Sequence, residues 1–245
     1  MEVFNDYDLG EKLNFSYVNN SPFPNIVLDN FINPEVALQC FSELKNYWGW
    51  GSESPSNLYM ASHQVNKFYT PWSPENFEFL KNTAPTVYNT LQYFNSEPFL
   101  KFLSELTGIE GLIGDAEFFG GGAHKIHTGG KLSLHVDYNI QPQTNQFRVL
   151  NLLLYLNPDW EKEWEGALEL WDHKTKTCAH KIFPFFNRAV IFTLSDNSIH
   201  GHPIPLKCPE NIERYSLALY YFIENPNQEY YERRAVVWHD FEQGE

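Results

Sequence analysis

An α+β fold follows from the order in which two hydrophobic periodicities occur along the chain. Apolar residues recur at three-to-four spacing as far as Gly108 and at a spacing of two from there to about residue 223, the marks of helix and then strand. Gly, Asn and Pro clusters divide the second region into short strands. Helices first and strands afterwards place the two in separate layers. The prediction is a helical layer supporting a double-stranded β-helix, the jelly-roll or cupin-like curl of antiparallel strands.

At 245 residues the chain reads as a single domain, 1–245. Residues 1–112 form the helical support and lead-in, 113–223 the β core and 224–245 a C-terminal tail. Residues 1–22 are polar and Asn-rich, a loosely held lead. Phe23–Phe31 is an extended apolar segment ending at Asn33-Pro34. Pro34 suits the first turn of a helix carrying Val36, Ala37, Cys40, Phe41 and Leu44. Segment 49–72 is loop with one short strand. Ser73-Pro74 opens a further helix with a cap and a proline, and the apolar positions of 77–108 suggest two helices broken near Asn95–Pro98. The tail is polar with aromatics, compatible with a final packed helix.

Composition excludes several classes. Formal charge is −14, from 17 basic and 31 acidic residues, so the surface repels a polyanion and lacks the clustered cations that nucleic-acid binding requires. No run of about 18 apolar residues exists, which argues against a membrane span. The first residues lack the basic and apolar blocks of a secretory leader. Three widely spaced cysteines, Cys40, Cys178 and Cys208, suit a reducing compartment and make no zinc pattern. The expected location is cytoplasmic. Hydrophobic content of 42% with 17% aromatics is ample for a buried core, and the acidic loop Asn157–Glu165 reads as solvated surface.

His135 and Asp137 lie in a stretch, Lys131–Asn139, that alternates as a strand does. Side chains two apart in a strand point the same way, so these two can grip one ion while Val136 faces the opposite layer. A third ligand from a distant strand would complete a two-histidine, one-carboxylate face, which suits non-haem Fe(II) and leaves open positions. Ser198-Ile-His200-Gly201-His202-Pro203 offers two histidines of the same parity, and alternation does not choose between them. Taken singly, His135 reads as a structural histidine and Asp137 as a turn-capping carboxylate. Arg214, Ser216, Ala218 and Tyr220 share one face of an apolar strand, and a cation followed by small residues leaves room for a carboxylate ligand. The alternative for Arg214 is a surface cation paired with Glu213 or Glu210. In the strand from Arg148 to Leu156, alternation sets Val149, Asn151, Leu153 and Tyr155 on one side and Arg148 with the leucines on the other.

The ordered run of segments carries more than any one motif. Gly120-Gly-Gly-Ala-His124 and Gly129-Gly-Lys-Leu132 precede His135. Arg148–Asn157, Glu165–Trp171, Asn187–Phe192, Ser198–Gly201 and Arg214–Phe222 follow it. In that order, over roughly residues 115–223, they resemble the core strands of the Fe(II)/2-oxoglutarate-dependent dioxygenases, specifically their prolyl-hydroxylase-like branch. Phe23–Phe31 is similar to that family's lead-in.

The resemblance implies an enzyme whose metal ligands are His135, Asp137 and His200, the last favoured over His202 by the family's His-Gly form and its distance to the arginine. His202 would orient a neighbour or hydrogen-bond near the rim. Two coordination sites would take the 1-carboxylate and 2-keto oxygens of 2-oxoglutarate, and O2 the third. Arg214 and Tyr155 would bind the 5-carboxylate, Leu153 and Ser216 would wall the pocket, and Asn151 would serve either the co-substrate or a neighbouring backbone group. His127 stands eight residues before His135, where the family often has a tyrosine; it is placed provisionally with the co-substrate residues. Asn139, Arg148, His124 and Tyr220 fall on the substrate side, framed by loops near 51–70, 138–147 and 157–165. Gly166 would permit close strand approach. The implied reaction consumes 2-oxoglutarate and O2, releases succinate and CO2 and hydroxylates an unactivated C–H bond, with ascorbate in support. The substrate would be a prolyl residue in a peptide or protein, or else a free amino acid or other small metabolite. Two readings from other classes stand beside it: a non-catalytic metal-binding jelly-roll module, and a cupin that uses another divalent metal without 2-oxoglutarate.

Overall fold

The computed structural model describes residues 3–4, 8–52, 62–70, 73–115, 118–225 and 234–241. Five α-helices occur among them: α1 (Leu9–Val18), α2 (Pro34–Asn46), α3 (Pro74–Thr83), α4 (Pro85–Phe94) and α5 (Glu97–Thr107). The strands are β1 (Asn25–Leu28), β2 (Gly51–Ser52), β3 (Gln64–Tyr69), β4 (Ile113–Gly114), β5 (Gly122–Val136), β6 (Phe147–Tyr155), β7 (Leu168–Asp172), β8 (Thr177–Ile182), β9 (Arg188–Thr193), β10 (Ile199–His202), β11 (Arg214–Ile223) and β12 (Val237–Trp238).

The strands follow the order β1-β9-β6-β11-β5-β10-β7-β8, with every pair antiparallel. The sheet curls into the double-stranded β-helix that the periodicities predict. One face of β6, β9 and β11 meets the helices: Leu150, Leu152, Leu154, Ala189, Ile191, Leu217 and Leu219 pack with Phe94, Phe99, Phe102 and Leu103 in the main core. The opposite face of β6 and β9, with Tyr155, Val190 and Phe192, meets Leu168, Leu170 and Ile182 from β7 and β8. Alternation along each strand therefore divides a helix-backed core from a barrel interior.

The helix ends obey their capping chemistry. Asn33 accepts from the backbone N–H of Glu35 ahead of Pro34, and Ser73 accepts from Asn76 ahead of Pro74; both satisfy donors that the first helical turn leaves unpaired. Gly108 closes α5 in the left-handed region.

Four local expectations are corrected. The lead is not loose: within it α1 buries Tyr17, whose hydroxyl lies 2.7 Å from Thr193 Oγ1, and Asn14 donates to the Glu105 and Leu106 carbonyls. Its weak amphipathic pattern hid it, because its docking relies on close approach; a Cβ on Gly10 would sit 2.6 Å from the Phe102 carbonyl oxygen. The stretch 74–107 holds three helices, since Pro85 starts a new one directly after Ala84 ends α3. Segment 49–72 carries two strands, β2 and β3, while 53–61 and 71–72 lie outside the described residues. In place of a final helix, the described part of the tail contributes β12, which pairs Trp238 with His135. No helix among the described residues is long and apolar enough to cross a membrane.

Phe99 is fully buried amid the rings of Phe4, Phe31, Tyr93, Phe94 and Phe102, at centroid distances of 4.7–6.2 Å. Phe99→Ala is expected to lower unfolding free energy by about 3–5 kcal/mol, read from urea denaturation. A loss under about 1 kcal/mol would mean that the helical layer does not rest on this cluster.

Candidate metal and co-substrate site

Register brings the ligands together. In the antiparallel pair β5–β10, His200 stands directly opposite His135, and their ring centroids are 4.4 Å apart. Asp137, just past the end of β5, lies between them, with Oδ1 3.4 Å from His135 Nε2 and Oδ2 3.4 Å from His200 Nε2. All three are buried, and one ligand atom from each lies within 4.8 Å of the others. Both imidazoles are locked the same way: Nδ1 of His135 meets the Ser133 carbonyl at 2.9 Å, and Nδ1 of His200 meets the Ser198 carbonyl at 2.9 Å. A carbonyl can only accept, so Nδ1 carries the proton and Nε2 presents its lone pair to the triad, as a metal-binding histidine requires. Two nitrogens and a carboxylate converging on one point fit Fe(II).

Two irregularities shape the site. Along β5–β10, His202 pairs with Leu132 while His200 pairs with His135, so β5 carries one extra residue between them. This bulge leaves Leu132 and His135 both lining the cleft, while Leu134 packs outside with Trp171 and Ile199. Gly201 is required here: a Cβ would stand 2.7 Å from the Ser133 carbonyl oxygen. The second bulge lies in β6, where Phe222 pairs with Arg148 and Tyr221 with Leu150. It overturns the expected faces, sending Val149 to the helix-side core and bringing Arg148 beside Asn151.

The carboxylate of Asp137 is therefore held from behind. Arg148 Nη2 lies 3.0 Å from Oδ2, and Asn151 Nδ2 donates to Oδ2 at 2.9 Å. Arg148 is 2% exposed, with its guanidinium 3.4 Å from the Tyr220 ring centroid and 4.7 Å from that of Tyr138. Burial alone would raise the Asp137 pKa, but the adjacent Arg148 guanidinium reverses this and holds it well below the usual carboxylate range.

Behind the triad opens a cleft that His135, Asp137 and His200 line together with residues of β3, β6 and β11. Arg214 lines it at 4% exposure. Its Nε donates to the Gly166 carbonyl at 2.9 Å and its Nη2 to the Tyr155 hydroxyl at 3.3 Å. Gly166 adopts φ +75°, and a Cβ there would press on Arg214 Cδ and Leu206; glycine both makes the turn and frees the space. Among the described residues no carboxylate reaches Arg214. Glu213 instead meets Lys125 and His127, so the surface-pair alternative does not hold. Asn151, Leu153, Tyr155, Ser216, His124 and Tyr220 line the cleft as well.

Four expected positions fall elsewhere. His127 does not line the cleft; its Nδ1 lies 3.1 Å from Glu213 and its ring meets Phe68 edge-on, because Ile126 takes the inward place beside it. Asn139 is tied to the tail, accepting from the Arg234 backbone N–H at 2.7 Å. His202 is no rim residue but 3% exposed within the cleft, with both ring nitrogens lacking a hydrogen-bond partner among the described residues. Loop 157–165 lines a separate recess with Phe41, Lys45 and Tyr215.

Sequence reasoning missed Lys67, which enters the cleft from β3, and the return of the tail. Arg234 Nη2 donates to the Asp137 carbonyl at 2.8 Å and its Nη1 engages Asp196. Trp238 stacks on His63 at 4.5 Å and approaches the His135 ring at 5.2 Å. A cation in a loop-like segment and a tryptophan in a polar tail carry no periodic signal.

The comparisons bear on the same residues. Residues 121–222 match the family model described as 2OG-Fe(II) oxygenase superfamily. The core resembles a 2OG-Fe(II) oxygenase. Among solved structures, a Pseudomonas putida prolyl-4-hydroxylase aligns with TM-score 0.56 at 15% identity, covering 88% of this chain and 98% of that one. A Trichoplax adhaerens prolyl hydroxylase, in complex with a hypoxia inducible factor peptide fragment, aligns with TM-score 0.54 at 18% identity, over 89% and 90%. Streptomyces hygroscopicus HygX, with nickel, 2-oxoglutarate and hygromycin B bound, aligns with TM-score 0.53 at 12% identity, over 81% and 82%. At these identities the structures show a shared fold. No curated protein matches the sequence.

Two outcomes follow from the buried charges. Arg148→Met strips Asp137 of its cation, and in metal-free buffer the unfolding free energy should fall by about 3–5 kcal/mol; an unchanged urea midpoint would show that Asn151 alone suffices. His124 and His202 are held well below the ordinary histidine value, by burial first and then by Lys67 or Arg214, and burial and His200 lower His135. Unfolding restores each to about 6.5. Below that pH the unfolded chain binds more protons than the folded one. Stability of the metal-free protein should therefore fall as pH drops below about 6.5, by up to about 1.4 kcal/mol per pH unit for each group. Urea midpoints unchanged between about pH 7.5 and about pH 5.5 would contradict this.

Proposed function

We propose that this chain is an Fe(II)- and 2-oxoglutarate-dependent oxygenase that hydroxylates an unactivated C–H bond, its substrate a prolyl residue in a peptide or protein. One observation carries the reading: a His-Asp-His face and a buried guanidinium that has no carboxylate partner among the described residues open onto the same cleft. His135, Asp137 and His200 would hold the metal through Nε2, one carboxylate oxygen and Nε2. Arg214 and the Tyr155 hydroxyl would receive the far carboxylate of 2-oxoglutarate, because a fixed planar guanidinium matches that group. Leu153 and Ser216 would wall the co-substrate, and Asn151 serves it indirectly by steadying Asp137. When bound, iron and 2-oxoglutarate supply the oxidising power for C–H hydroxylation, with O2 as oxidant and ascorbate in support. The protein orients the ligands, anchors the diacid and screens the cleft from water.

Within this reading, residues 113–223 are the catalytic core and 1–112 its support, in one domain acting in the cytoplasm. The prolyl substrate is favoured by the two prolyl hydroxylases that share the fold over nearly the whole chain. HygX, with hygromycin B bound, makes a small molecule the runner-up.

Purified protein with Fe(II), ascorbate, O2 and 2-oxoglutarate should release succinate, more so with prolyl peptides than with free amino acids, and Asp137→Ala should abolish it. Arg214→Ala should raise the 2-oxoglutarate concentration needed by roughly 10- to 100-fold, the equivalent of about 1.5–3 kcal/mol. Activity indifferent to Arg214→Ala would point to a cupin without 2-oxoglutarate. No turnover in any protein would leave a metal-binding module.

A further inference from the structure

His202 is a buried polar group that finds no hydrogen-bond partner among the described residues. Its ring is 3% exposed and lines the cleft, and neither nitrogen finds a hydrogen-bond partner among the described residues. A buried donor left unpaired destabilises the fold, and such groups are kept where something else satisfies them. The strand geometry explains why the ring cannot escape. His202 follows Gly201, whose close approach to the Ser133 carbonyl presses β10 onto the bulged β5. Its parity, shared with His200, turns it to the interior.

The surroundings define the chemistry of the missing partner. Arg214 and Lys67 line the same cleft, and an imidazole offers at least one N–H whatever its charge. The only carboxylate lining the cleft among the described residues is Asp137, already engaged by Arg148 and Asn151. A guanidinium with no carboxylate partner among the described residues and an imidazole donor therefore face a space in which an anionic oxygen is the complementary group.

We propose that His202 completes the seat for the far carboxylate of 2-oxoglutarate, its N–H adding to the Arg214 and Tyr155 contacts and making this cleft selective for a dicarboxylic keto acid. The assignment rests on the oxygenase reading and deepens it. His202 is a binding residue for the co-substrate's distal end and takes no part in holding the metal.

The test uses the full chain loaded with Fe(II) under anaerobic conditions. Binding of 2-oxoglutarate and of 2-oxopentanoate, the same keto-acid head with a methyl in place of the far carboxylate, is followed by calorimetry and by the visible charge-transfer absorption of a chelated keto acid. His202→Leu should weaken 2-oxoglutarate about tenfold and leave 2-oxopentanoate within about twofold, with Fe(II) affinity unchanged. His202→Gln, which keeps an N–H donor without the ring, should recover 2-oxoglutarate binding to within about threefold of the parent. Equal 2-oxoglutarate affinity in the parent and His202→Leu overturns the proposal. So does parallel weakening of both keto acids, loss of Fe(II) binding, or equal damage from Leu and Gln, since each marks a role in shape alone. If His202→Leu does not fold, the Gln variant decides: retained preference for 2-oxoglutarate over 2-oxopentanoate supports the assignment and a lost preference overturns it. Failure of the parent to bind either keto acid removes the oxygenase reading itself, an outcome distinct from all of these.

Discussion

The pairing of His200 against His135 across two antiparallel strands is the constraint from which the rest of the site follows. Residues far apart in sequence become nearest neighbours because a ladder of backbone hydrogen bonds sets their register, and a slip of one residue would turn one ring outward. Each ring is then held by a carbonyl two residues earlier in its own strand, from Ser133 or Ser198. The backbone thus determines position, orientation and tautomer together. Only Asp137 depends on side chains for its aim, and there Arg148 and Asn151 act in place of the ladder.

The bulges are the second organising device. A regular β5 would place Leu132 and Leu134 on one face and His135 on the other; the inserted residue lets Leu132 and His135 look into the same cleft. A regular β6 would direct Arg148 at the helices, where a buried guanidinium would have no counter-ion. Its bulge turns that cation to the one carboxylate that can compensate it. Bulges commonly stand next to functional sites for this reason.

This division explains what could be read from the chain. Period-two segments and their order revealed the core; alternation singled out His135, Asp137 and Arg214, the family resemblance chose His200 and Tyr155, and the structure brings all five to one cleft. Alternation failed wherever a residue was inserted, which is why Arg148 was assigned to the wrong face. It failed for His127 because the residue inserted between Leu132 and His135 reverses the parity of β5, so that His124, Ile126 and Leu132 face the cleft with His135. Lys67 and Trp238 carry no pattern of their own; they arrive through pairing of short strands onto β5, which no local window contains. The helix α1 was hidden for a related reason, since its docking depends on a glycine contact and one buried tyrosine and not on an apolar stripe.

The late arrival of β12 has a consequence for biogenesis. Residues 234–238 clamp the backbone at Asp137, brace Asn139 and wall in the outer edge of the His135 strand. During synthesis His135 and Asp137 leave the ribosome about a hundred positions before this brace emerges. A nascent chain therefore presents the two side chains unbraced until translation has passed Trp238.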